Sequence, residues 1–303
     1  MIRIGLVDCD TSHVVAFTQR LNHVGIGEEH WVEGGQVVAA VPGRSAIGPE
    51  RIPGFVEKLR EYGIEILERP EELLAPVNGH PIDAVMIESA DGGVHLERAT
   101  PFVEAGRPLF VDKPLAASLA DARKLVEAAR RRGVPLMSAS ALRYCPEVLD
   151  VPARAGELGA VLGVDAYTPA SLHPRNPGLL HYGVHGVETV YALMGTGCRS
   201  VRCVFEEGAE VVVGRWADGR LGTVRGTRRG SYAMGFTCFC EKGVVPAQVN
   251  VPRLYRDMLV EVVAMFRTGR PPLGPEELLE PIAFQEAALR SKERGGDEVA
   301  LSA

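Results

Sequence analysis

The sequence predicts an α/β protein: a doubly wound parallel sheet through the first half of the chain, then an α+β portion on an open, mostly antiparallel sheet. Three features lead there. From Ile2 to Ser140, short apolar runs alternate with amphipathic stretches, the rhythm of parallel strands joined by right-handed helical crossovers. "IDAVMIES", Ile82 to Ser89, is almost wholly apolar until its last residues, as befits a strand buried on both faces. From Ser200 onward strand-like runs crowd together, and "WADGRLG" between two of them is a hairpin signal.

Taken in order, strands are expected over Ile2–Asp8, Gln36–Val41, Ile82–Ser89, Pro108–Asp112 and Val134–Ser140. Helices fall between them over Ser12–His23, Val56–Tyr62, Glu71–Leu74, Val94–Glu104 and Ser118–Arg132. The last of these opens with "SLAD", a good cap. In the second half a helix over Leu179–Met194 precedes strands at Ser200–Phe205, Glu210–Trp216, Arg220–Arg225 and Met234–Cys240. Helices over Arg253–Phe266 and Pro275–Ser291 close the chain and pack back on its body. The domain boundary is expected between residues 142 and 143, giving a first domain of 1–142 and a second of 143–303.

Composition narrows the class. A chain of 303 residues, 46% hydrophobic, can bury proper cores, and a net charge of -6 gives no reason to expect nucleic acid or an anionic membrane as partner. No apolar run approaches the roughly twenty residues of a spanning helix, and "MIRIGLVD" lacks the layout of a signal peptide. The six cysteines include no CxxC pair, which suits reduced thiols and a cytoplasmic location. Cys238 and Cys240, two apart in one strand, read as packing residues.

Ligands of open parallel sheets bind beyond the carboxyl ends of the strands. That rule singles out Asp8, Val41–Arg44, Ser89–Asp91, Asp112–Pro114 and Ser140–Tyr144. The most specific stretch is "FVDKPLAASLADA", where Asp112-Lys113-Pro114 ends a strand and Pro114 disfavours helix at Lys113. With its surroundings, "IESADGGVHLERATPFVEAGRPLFVDKPLAASLADA" from Ile87 to Ala122 resembles the Gfo/Idh/MocA family of nicotinamide-dependent oxidoreductases. That family's signature here is Glu-Lys-Pro, so Asp112 stands for the usual glutamate. The resemblance implies a Rossmann-like nucleotide-binding domain, then an open-sheet domain for substrate and oligomerisation. It also implies a small polyhydroxy substrate such as a sugar or cyclitol, and a homodimer or homotetramer.

A second signal is "GLLHYGVHGVETVYALMG", Gly178 to Gly195. His181 and His185 are four apart on the expected helix and share a face. The family has Asp-x-x-x-His in the corresponding helix, with the histidine as acid/base, so the resemblance places that role on His185. His181 stands where aspartate is usual and brings no fixed negative charge. In hydride transfer the nicotinamide does the hard chemistry, and an imidazole with an ordinary pKa of about 6.5 suits the accompanying proton. Lys113 would steady charge on the same oxygen. An HxxxH pair can also bind zinc, but the HExxH glutamate is missing. Arg143, Tyr144, His173, Arg175 and Asn176 are candidates to face substrate; Ser89, Asp91 and His95 are expected to line the cofactor or substrate side, with Asp112 and Pro114 beside the cofactor.

The first turn is the discordant element. "VDCDTSH", Val7 to His13, puts Asp8, Asp10 and His13 where the family has the three glycines of GxGxxG. Carboxylates there repel phosphate, and Asp10, Thr11 or Ser12 can cap the helix whose amides a phosphate would use. In the other direction, Thr11, Ser12 and His13 can contact phosphate if Asp8 and Asp10 turn aside. Arg44 and Ser45, at the end of the second strand, suit a 2′-phosphate and favour NADP over NAD. Three readings stay open: a dinucleotide-dependent dehydrogenase, the same fold with metal-assisted non-redox chemistry through Asp8, Asp10 and the histidines, and a ligand-binding relative without turnover.

Overall fold

The computed structural model describes residues 1–250 and 254–302, and the chain divides into two compact units. Met1–Ala116, Ala120–Ala139 and Tyr255–Gly274 form the first; Ala117–Leu119, Ser140–Leu254 and Pro275–Ala303 form the second. The first unit holds strands β1 (Ile2–Val7), β2 (Gly35–Val41), β3 (Glu65–Ile66), β4 (Ala84–Ile87), β5 (Leu109–Val111) and β6 (Leu136–Met137). They make one parallel sheet in the order β3-β2-β1-β4-β5-β6. Strand order reverses between β1 and β4, so the ligand crevice of such a sheet lies over the ends of those two strands.

Helices α1 (His13–Asn22), α2 (Ile52–Glu61), α3 (His95–Glu104) and α4 (Leu119–Arg132) supply the crossovers. Ile4, Leu6, Met86, Ile87 and Phe110 have no exposed surface, which is why their strands show no alternation. The expected helix at Val56 starts earlier, at Ile52, because Pro53 is well placed in a first turn.

The second unit contains α5 (Pro146–Ala153), α6 (Ala155–Leu158), β7 (Val161–Pro169), α7 (Val184–Met194) and strands β8 (Cys198–Glu206), β9 (Ala209–Trp216), β10 (Leu221–Thr227), β11 (Gly235–Cys240) and β12 (Gly243–Gln248). The chain then returns to the first unit as α8 (Arg256–Thr268), whose Val263 covers Gly35 at the start of β2. The expected start of that helix, Arg253, lies outside the described residues. Finally α9 (Pro275–Glu293) and β13 (Val299–Ala300) complete the second unit.

Its sheet runs β12-β11-β7-β10-β9-β8-β13 and is antiparallel except for the β7–β10 pair. The central strand β7 was not among the expected elements. Its "VLGVDAYTP" does not alternate cleanly, since buried Val164, Ala166 and Thr168 are interrupted by Gly163 and Tyr167. α7 packs on this sheet at Gly186, where a Cβ would come within 2.9 Å of Thr168 and 3.0 Å of Val224. The helix expected from Leu179 begins at Val184 instead, because Gly178 (φ +59°) and a short 3-10 turn over Gly178–Leu180 precede it. Cys238 and Cys240 are buried with sulfurs 3.7 Å apart. No helix among the described residues is long and apolar enough to cross a membrane.

Candidate functional site

The first turn bends tightly without a glycine. Asp8 takes φ +65°, the left-handed conformation that aspartate tolerates better than most side chains. Its amide and that of Cys9 bond Val41 and Pro42 carbonyls at the end of β2. The Asp8 carboxylate accepts from Ser89 Oγ at 2.5 Å and from Arg98 Nε at 3.1 Å. Arg98, on α3, was not a candidate from sequence; nothing local marks it as the counterion of a residue ninety positions away. Gly43 makes room for this arrangement, since a Cβ there would lie 1.7 Å from Asp8 Oδ1.

Asp10 also turns to the protein. One oxygen accepts from the Ala90 amide at 2.8 Å, and the other accepts from the Ser45 hydroxyl. Burial raises the Asp10 pKa against the lowering pull of those bonds. Neither aspartate caps α1, whose N-cap Ser12 makes no side-chain cap bond either. Thr11 Oγ1 takes the His13 amide at 3.3 Å. The exposed Ser12 hydroxyl and the first-turn amides of Val14 and Val15 therefore remain for an anion. The helix terminus favours an anion, and the carboxylate of Asp10 beside it works against one.

At the end of β5, Asp112 is 1% exposed and sits on two donors. Its Oδ2 lies 2.7 Å from His13 Nδ1, and its Oδ1 accepts from the Lys113 amide at 2.7 Å. Burial would raise the Asp112 pKa, but His13 and Lys113 overcome it and hold the carboxyl well below the usual range. The His13 ring stacks on Phe17 at 4.9 Å and meets the edge of Tyr255 at 5.1 Å. It is thus a packed partner of Asp112 rather than a ring turned outward to phosphate, which corrects its expected role. Glu88, last before Ser89 at the end of β4, has no exposed surface, and neither carboxylate oxygen has a hydrogen-bond partner among the described residues. Burial, with the charge of Asp112 added, pushes its pKa far up. The half-buried Lys113 follows, joined to Pro114 by a cis peptide bond.

In the second unit His185 stands near the start of α7, half-buried, with Nδ1 2.7 Å from Ser140 Oγ. Ser140 Oγ also takes the Leu142 amide at 3.2 Å. Three residues on, Glu188 binds Arg143 Nε at 2.9 Å; these side chains are 10% and 8% exposed. Burial works against the Arg143 charge, and Glu188 more than offsets it, so the guanidinium pKa rises. Arg143 is therefore the buried half of an ion pair, not an open substrate contact. Tyr144, next to it, is half-buried. His181 lies beside His173 with ring centroids 5.2 Å apart. Asn176 is buried at 1% exposure and Arg175 is exposed.

Three further expectations change. His95 is fully buried, its Nε2 2.9 Å from the Ser89 carbonyl and its Nδ1 2.9 Å from that of Pro114. It ties the end of β4 to the lysine-proline turn and offers no atom to a ligand. Asp91 caps the short turn before α3 through the Gly93 amide. Ser45 gives its hydroxyl to Asp10 and takes the Ile47 amide at 2.9 Å, so of the pair expected to favour a 2′-phosphate only the exposed Arg44 remains.

Residues 34–140 match the family model described as "Oxidoreductase family, NAD-binding Rossmann fold". The chain is 27% identical over 190 residues to scyllo-inositol 2-dehydrogenase (NAD(+)) of Bacillus subtilis, an alignment covering 59% of this chain and 54% of that protein. It is 32% identical over 123 residues to inositol 2-dehydrogenase 2 of Saccharopolyspora erythraea, covering 38% and 35%. The chain thus spans about half the length of the first curated relative and about a third of the second. Its fold follows that of myo-inositol dehydrogenase from Lactobacillus casei, solved with NAD(H) and myo-inositol, at a TM-score of 0.79 and 16% identity over 100% of this chain and 97% of that one. A myo-inositol dehydrogenase from Corynebacterium glutamicum gives a TM-score of 0.79 at 18% identity, over 100% and 99%. Over residues 34–140 the chain is thus similar to the Gfo/Idh/MocA family of oxidoreductases, and its fold is shared with those solved structures along its length.

Proposed function

We propose that this protein is a nicotinamide-dependent dehydrogenase that oxidises or reduces a CH–OH carbon of a cyclitol or similar polyhydroxy compound. The observation that carries the reading is the Ser140–His185 hydrogen bond. It orients the imidazole of His185 on α7, the residue to which the family resemblance assigns the acid/base role. When Nδ1–H donates to Ser140 Oγ, Nε2 is the basic nitrogen and can take the proton of a substrate hydroxyl. Lys113, at the end of β5, is the first unit's candidate to steady developing negative charge. When bound, the nicotinamide supplies the hydride acceptor or donor. Ser12 and the amides of Val14 and Val15 would hold its pyrophosphate, and Arg44 the adenosine end. The cofactor proposed is NAD: Ser45 is committed to Asp10, and the relatives' names carry NAD rather than NADP.

The test is a fluorescence titration with NADH and NADPH on nucleotide-free protein, followed by turnover of myo- and scyllo-inositol. Micromolar binding of NADH with turnover of a cyclitol is expected; failure of both dinucleotides to bind at millimolar concentration would falsify the reading. Two substitutions sharpen it. Asp10→Asn keeps an acceptor for the Ala90 amide while removing the charge, and NADH affinity should rise on the order of tenfold, less at high salt. Ser140→Ala should lower kcat by about tenfold and shift the acidic limb of its pH profile, with KM nearly unchanged.

The second-unit sheet also has an apolar row on one face. Val244, Phe239 and Leu221 are 58%, 39% and 51% exposed and register across β12, β11, β7 and β10 through Gly163. We propose that a second copy of the chain covers this row, which light scattering at micromolar concentration would test.

A further inference from the structure

His13, Glu88 and Asp112 come from three elements of the first unit, α1, the end of β4 and the end of β5. Their ligating atoms, His13 Nδ1 and one oxygen of each carboxylate, all lie within 4.8 Å of one another. Asp112 Oδ2 is 2.7 Å and Glu88 Oε2 4.0 Å from His13 Nδ1. Both carboxylates are buried, and the His13 side chain, 12% exposed, opens the cluster to solvent. Nothing in the hydride-transfer reading uses Glu88.

Glu88 is the anomaly. A buried carboxyl whose two oxygens lack partners costs about 1–3 kcal/mol for each unmet group, and buried charges are normally paired or bound to metal. Nearby, both His95 nitrogens face carbonyls and Asp8 Oδ2 accepts from a serine and an arginine. Asp8 Oδ1 has no hydrogen-bond partner among the described residues, but only Glu88 has both oxygens in that state there. One nitrogen and two carboxylate donors converge on a space that holds no protein donor for Glu88.

We propose that His13, Glu88 and Asp112 form a binding site for a single divalent transition-metal ion of the zinc class. Bonds of about 2.0–2.2 Å to imidazole nitrogen and carboxylate oxygen bring donors to roughly 3–3.5 Å from one another, a small contraction of the Glu88 separation seen here. The mixed nitrogen and oxygen set favours Zn²⁺, Co²⁺ or Mn²⁺ over Ca²⁺ and Mg²⁺, which take oxygen ligands. Three protein ligands leave a coordination position open. Lys113 acts on both carboxylates and opposes the ion, whereas the carboxylates of Asp10 and Glu88 favour it. An ion here would also add positive charge beside the acidic first turn.

The experiment titrates chelator-treated full-length protein with Co²⁺, followed by visible absorption, and with Zn²⁺ by calorimetry, without dinucleotide. Wild type should bind one equivalent at micromolar Kd or tighter, and X-ray absorption of the Zn²⁺ form should show one imidazole among oxygen ligands. Glu88→Gln should weaken binding by about 100-fold. His173→Ala, which removes the other histidine pair, should leave it unchanged. No stoichiometric binding by wild type at millimolar metal overturns the proposal. So does one-equivalent binding that survives Glu88→Gln or vanishes in His173→Ala. The wild-type absorption spectrum decides the matter even if a variant fails to fold. Because no nucleotide is present, the result stands apart from the dehydrogenase reading.

Discussion

On the proposed dehydrogenase reading, His185→Ala is expected to lower kcat for cyclitol oxidation by about 100- to 10,000-fold, the usual worth of a positioned general acid/base. Dinucleotide affinity stays within about twofold, because a proton-transfer group contributes in the transition state rather than to cofactor binding. Fluorescence titration and steady-state kinetics on the same preparation separate the two quantities. A kcat loss below about threefold would remove His185 from the chemistry. Ser140→Ala is the graded companion: the imidazole stays but loses its orienting partner, so its smaller deficit should be confined to kcat and its pH dependence.

Glu188→Gln destabilises the fold by about 3 kcal/mol, the low end of what is lost when one partner of a buried ion pair is removed. Arg143 is 8% exposed and fixed in the second unit. Without the Glu188 charge its guanidinium keeps its desolvation penalty, softened by Tyr144 and Glu277, which also favour its charged form. Urea denaturation should show a lower midpoint at constant slope. Arg143→Met combined with Glu188→Leu should recover most of the loss, since a well-packed apolar pair avoids the desolvation penalty altogether. A double variant as unstable as the single one would show that Arg143 and Glu188 act through other partners.

Several features were legible from sequence because their causes are local. Strands β1, β4 and β5 announce themselves because burial on both faces leaves them almost wholly apolar. The Asp112-Lys113-Pro114 turn was legible because proline restricts its own neighbourhood. Strand β7 escaped detection because it owes its place to pairing with β10 and β11, not to its own pattern. The late start of α7 likewise depends on the left-handed backbone of Gly178 and on Gly183 packing against Leu179, which spacing alone does not reveal. For the first turn, the residue types correctly signalled a departure from the family pattern but left two outcomes open.

What the sequence by itself determined is the layer architecture, a family resemblance and the choice of Lys113 and His185 as chemical candidates. These follow from periodicity, chain order and short motifs, all read over a few adjacent residues. Tertiary structure alone decided what the acids do. Asp8 meets Arg98, Asp10 meets Ser45 and Ala90, Asp112 meets His13, and Glu88 has no hydrogen-bond partner among the described residues. Those partners lie between thirty-five and ninety-nine positions away. A carboxylate's charge state and direction depend on burial and on the donor it faces, and both are set by which strand ends the parallel sheet brings side by side.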